Sequence, residues 1–105
     1  MKQNTINEVW QRIIDYSVEP GVKPDENQIF YTVSRNIPFW IEREGNNIMP
    51  KNDRKSKLCQ ISKEIIRHDI DMGVATNTQI KTSDLGTPAP SYRYALLNDP
   101  RIWIK

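Results

Sequence analysis

Apolar residues recur with helical spacing at Ile6, Val9, Trp10, Ile13 and Ile14, directly after Thr5-Ile6-Asn7-Glu8, which has the spacing of a capping box. The pattern predicts a first helix with one core-facing stripe and with Arg12 and Asp15 on its polar side. The helix must stop before Glu19-Pro20-Gly21, because the residue preceding a proline is pushed out of the α region. Pro24 stiffens the connection that follows.

From Ile29 to Ser34 five of six residues are β-branched or aromatic, and the chain then turns around Arg35-Asn36-Ile37-Pro38 into Phe39 to Glu44. This alternation predicts an antiparallel hairpin with Phe39 and Ile41 toward the core and Trp40 on the opposite face. Gly45-Asn46-Asn47 is a turn signal, and Ile48-Met49 is expected to begin a third strand before Pro50. Leu58-Cys59-Gln60-Ile61 reads as a short fourth strand. Ser62 is a good N-cap for a helix from Lys63 to Met72, ended by Gly73.

Residues 74 to 90 form an irregular stretch that either carries function or hides a strand around Thr78-Gln79-Ile80-Lys81. Ser91 then caps a last helix through Leu97, stopped by Asn98-Asp99-Pro100, and Arg101 to Ile104 alternates as a terminal strand. The expected fold is one compact α+β domain over residues 1–105, a small antiparallel sheet of three to four strands packed with three short helices. A winged-helix-like arrangement is a fold-level analogy for this order of elements.

Composition narrows the function classes. At 105 residues, 37% hydrophobic and 27% charged, the chain has enough apolar material for one modest core and no more. Its longest apolar runs fall far short of the roughly 20 residues that span a bilayer, and the polar stretch after Lys2 lacks the form of a signal peptide. With Cys59 as the only cysteine, neither an intrachain disulfide nor a thiol metal site can form, which fits a cytoplasmic, reducing setting.

Candidate chemistry is sparse. His68 is the single histidine, and its neighbour Asp69 diverges from it by about 100° around a helix, so the two do not make a dyad by sequence. Cys59, in Leu-Cys-Gln-Ile, reads as a small buried hydrophobe rather than a nucleophile. The chain has no HExxH, CxxC or Walker-type glycine loop, so no cofactor, metal or catalytic residue is expected and the chain is not read as an enzyme.

Positive charge is better organised than the net +2. Lys51, Arg54, Lys55, Lys57, Lys63 and Arg67 fall within seventeen residues, interrupted by Asp53 and Glu64. The segment from 51 to 57 carries no apolar residue to bury. Beyond it, Ser91-Tyr92-Arg93 opens the last helix with hydroxyl, aromatic and guanidinium groups, in the position from which a recognition helix reads DNA. The expectation is a nucleic-acid-binding domain, most plainly for duplex DNA, using these nine residues from Lys51 to Arg93. Tyr31, Trp40 and Trp103 are candidate stacking platforms for a single strand, whereas Trp10, Tyr94, Leu96 and Leu97 read as packing residues. The alternative is a small protein-interaction or inhibitor module anchored through Trp40 on an aromatic sheet face. A homodimer paired through the terminal strand is a further possible assembly.

Overall fold

The first helix, α1 (Ile6–Tyr16), begins where the capping box lies: Thr5 Oγ1 accepts the Glu8 N–H at 3.3 Å, and Glu8 Oε1 accepts the Thr5 N–H at 3.4 Å. Val9 and Ile13 are fully buried, and Ile6, Trp10, Ile14 and Tyr16 pack around them. The helix ends before the proline as expected, and Arg43 Nη1 donates to the Ser17 carbonyl and hydroxyl just beyond its end, answering acceptors left open there. Arg12 is not simply solvated: it donates to Asn4 Oδ1 and the Ile102 carbonyl, tying the C-terminal segment to α1. The computed structural model describes residues 4–53, 60–86 and 89–105.

Three strands follow, β1 (Phe30–Tyr31), β2 (Pro38–Glu44) and β3 (Asn47–Lys51), in one antiparallel sheet of order β1-β2-β3. Phe30 pairs with Phe39 and Ile41 with Pro50, and these four side chains are buried on the face that receives the helices. The opposite face carries Tyr31, Pro38, Trp40, Glu42, Met49 and Lys51, since directly paired residues share a face and alternate ones do too. β1 is much shorter than the expected run from Ile29 to Ser34. The turn takes over at Thr32, whose hydroxyl accepts the Ile37 N–H at 2.9 Å and whose carbonyl accepts the Asn36 N–H, with Asn36 at φ 56°. Pro50 is tolerated because β3 lies at the sheet edge. Ile48 turns its N–H outward to the Ile61 carbonyl, so its alternate neighbour Pro50 also points its nitrogen away from β2.

Of the expected fourth strand only Gln60 and Ile61 are described, and Ile61 makes an antiparallel bridge with Ile48; Leu58 and Cys59 lie outside the described residues. The second helix, α2 (Lys63–Met72), has Ser62 as N-cap accepting the Ile65 N–H, and Gly73 ends it at φ 90°, a left-handed conformation that glycine adopts without steric cost. The expected strand at residues 78–81 is absent. Asn77 and Asp84 instead organise turns, and a single 3₁₀ turn spans Thr82–Asp84.

The third helix, α3 (Pro90–Leu97), starts earlier than expected: Ala89, at φ 50°, precedes Pro90 at the first helical position, which needs no N–H partner there. Ser91 is therefore inside the helix and is not its cap. Residues 101–104 form no strand either. The Ile102 and Trp103 N–H groups both donate to the Asp99 carbonyl, coiling the chain into a turn and leaving no terminal strand to pair across a two-fold axis. Arg101 holds this turn to the sheet by donating to Asp99 and to the Asn27 and Ile29 carbonyls, with its guanidinium 4.1 Å above the Phe30 ring. Among the described residues the result is an α+β fold in which three helices share one hydrophobic core with a three-stranded antiparallel sheet.

Candidate nucleic-acid interface

The first turn of α3 meets the sheet at Tyr92. Its ring packs edge-on with Phe39, at a centroid distance of 4.8 Å and an interplanar angle of 78°, and its hydroxyl accepts the Asn52 amide at 2.8 Å. Asn52 directly follows β3 at the root of the basic segment. The β1–β2 turn closes the other side, bringing in Ser34, Arg35 and Ile37 beside the buried Thr32. Between these three segments lies a cleft of about 540 Å³, which Ser91 also lines. Arg35 is exposed and makes no ion pair among the described residues. Among the described residues no side chain caps the start of α3, and this end of the helix directs its positive dipole toward the same region.

Of the residues expected to touch nucleic acid, Ser91 and Tyr92 are thus brought together, one residue away from Lys51. Lys51 stands opposite Trp40 on the outer sheet face and pairs with Glu42 at 3.7 Å. Lys63 and Arg67 do not line the cleft: Lys63 Nζ donates to Asn7 Oδ1 on α1 at 2.7 Å, and Arg67 makes an exposed pair with Glu64 at 3.9 Å. Arg54, Lys55 and Lys57 lie outside the described residues. Asp53, exposed beside Asn52, works against the local positive charge.

Arg93 corrects the sequence reading. Its side chain is 1% exposed and Asp69 on α2 is 0% exposed, with Nε to Oδ2 at 2.9 Å and Nη2 to Oδ1 at 3.3 Å. Nη2 also donates to the Leu85 carbonyl at 2.7 Å. The guanidinium therefore fastens α3 to α2 and to the preceding loop, and it cannot reach a guanine without leaving the core. Helical phase explains the difference: with Tyr92 turned to the cleft, the next residue lies about 100° around the helix, and on this helix that direction is the α2 interface.

The exposed His68 brings Nδ1 within 3.5 Å of Asp69 Oδ1, closer than adjacent helical positions suggest. Burial pushes the Asp69 carboxyl above its ordinary value, against the attraction of Arg93 and a smaller contribution from His68. Among the described residues no three His, Cys, Asp or Glu side chains cluster as metal ligands, and no helix is long and apolar enough to cross a membrane.

The second candidate surface is the outer sheet face. Tyr31 is 53% exposed, and Trp40 is half-buried without joining the core cluster. Trp10 and Trp103, in contrast, pack against the core, as do Tyr92 and Tyr94.

Arg35, Asn52, Ser34 and Thr32 line the candidate cleft without being singled out by the sequence pattern. Arg35 sits in a legible turn, and an unpaired cation at a hairpin tip was the available signal; nothing local marks Asn52, whose role depends on a partner forty positions away. Comparison with known proteins finds no family model, no curated protein and no solved structure that matches this chain.

Proposed function

We propose that this chain is a non-enzymatic nucleic-acid-binding domain that grips duplex DNA through phosphate contacts from the basic segment at 51–57 and from the edge of α3. The observation that carries the reading is the cleft itself. It joins the root of that segment, the exposed Arg35 and the first turn of α3. A cation without an internal partner gives up little on meeting a phosphate, and hydroxyl groups at a helix N-terminus are common phosphate ligands. Lys51, on the outer sheet face, would reach a phosphate only by giving up its mostly buried pair with Glu42. Lys63 and Arg67 add positive field rather than contacts in the cleft.

Charge reversal at Arg54 and Lys55 tests the basic segment by fluorescence anisotropy with labelled duplexes. Binding should weaken to a similar degree for unrelated sequences, because phosphates carry no sequence information. Unchanged affinity would remove the segment from the interface.

A second reading is favoured by the outer sheet face, where Trp40, outside the core, stands opposite Lys51 and near the exposed Tyr31. An aromatic so placed is the usual anchor of a protein interface. Under this reading Trp40→Ala abolishes capture of a protein partner, and reversal at residues 54 and 55 leaves capture intact.

A further inference from the structure

We infer that the cleft between the β1–β2 turn and α3 holds one nucleotide that has left the base stack, its base among the hydroxyl and amide groups and its phosphate on Arg35. The inference rests on the nucleic-acid reading above and specifies what that surface recognises. Three features of the lining point to this ligand. First, the polar groups are Ser34, Asn52, Ser91 and the Tyr92 hydroxyl, which donate and accept hydrogen bonds as the edge of a nucleobase does. Secondly, among the described residues Arg35 is the single charged side chain in the lining and no carboxylate accompanies it, which offers a phosphate one unopposed cation there.

Thirdly, the recess is pre-formed. Tyr92 is fixed at both ends, its ring against Phe39 and its hydroxyl on Asn52, and the Thr32 turn is locked by its own hydrogen bonds. Rigid polar groups around an empty volume bind with less ordering cost than a mobile loop. A base stacked in a duplex presents only its groove edges, so a recess in the body of a domain is reached by a nucleotide rotated out of the helix.

The test uses the full chain and three labelled duplexes: one fully paired, one with a single bulged nucleotide, and one with the same bulge lacking its base. Anisotropy at low salt should show the bulged duplex binding about ten-fold tighter than the paired one, with the abasic bulge close to the paired duplex. Tyr92→Phe, which keeps the packing on Phe39, should shrink that preference by several-fold. Arg35→Gln, at an exposed position, should weaken binding to all three. Equal binding to all three duplexes by the unaltered protein overturns the inference and leaves the wider reading standing. Tighter binding to both bulges alike also overturns it, because distortion and not the base is then recognised. No saturable binding to any of them overturns the nucleic-acid reading as well.

Discussion

Arg93→Met separates a structural guanidinium from a DNA-reading one. In the fold Arg93 makes a two-point contact with Asp69 at 2.9 and 3.3 Å and donates to the Leu85 carbonyl at 2.7 Å, with both charged side chains out of solvent. Methionine fills similar space without charge, so the variant leaves a buried carboxylate uncompensated and a carbonyl without its donor. Breaking a buried pair from one side costs about 3–5 kcal/mol, against a total of about 5–15 kcal/mol for a domain of this kind. The melting temperature should fall by at least about 12 °C.

The loss also depends on pH. Burial already raises the Asp69 carboxyl, and the attraction of Arg93 is the largest single effect opposing that rise, so its removal lifts the folded value further. A carboxyl with a raised folded value favours the fold most below its unfolded value of about 4, and that contribution disappears as pH rises through the folded value. The gap between wild type and R93M should therefore be narrower in acid than at neutral pH. Urea unfolding followed by tryptophan fluorescence measures both effects. Adding Asp69→Asn to R93M removes the stranded charge and should recover a large part of the loss. A change in R93M below about 0.5 kcal/mol, which is what a surface arginine gives, would refute the buried clamp.

Other outcomes follow from single contacts. Arg101→Lys keeps the charge but loses the fork that grips Asp99 together with two carbonyls, so urea unfolding should report a loss of about 2 kcal/mol, as expected for hydrogen bonds to a charged group. Thr5→Ala removes the α1 cap and should cost about 1 kcal/mol in the same assay; no change would mean that the helix end is held by the Asn4 contacts instead.

Local chemistry made most of the helical layer legible. Thr5 with Glu8, Ser62 with the Ile65 N–H and Gly73 with the Asp69 and Ile70 carbonyls state where helices begin or end through groups only a few residues apart, and the alternation of Phe39 and Ile41 identifies the buried sheet face. Errors gathered where a distant partner decides. Residues 101–104 alternate like a strand, yet Asp99 draws their N–H groups into a turn and Arg101 fixes that turn to residues 27 and 29. Ser91 looks like a cap, but Pro90 is the better first residue of a helix, and it moves the start forward. Arg93 was the costliest misreading. An arginine near a helix start resembles a surface ligand unless the carboxylate that buries it, twenty-four positions earlier, is already known to face it. The cleft was half legible, through Ser91 and Tyr92; its other wall depends on how the Thr32 turn and Asn52 approach α3.

The most direct test of the proposed interface is the salt dependence of duplex binding for the wild type and Arg35→Glu, measured by anisotropy across a range of salt concentrations. Wild-type affinity should fall linearly on logarithmic axes, with a slope set by several phosphate contacts. The variant should bind more weakly at every salt concentration, with a slope shallower by about one contact. Absence of saturable binding at low salt, or identical lines for the two proteins, would contradict the account.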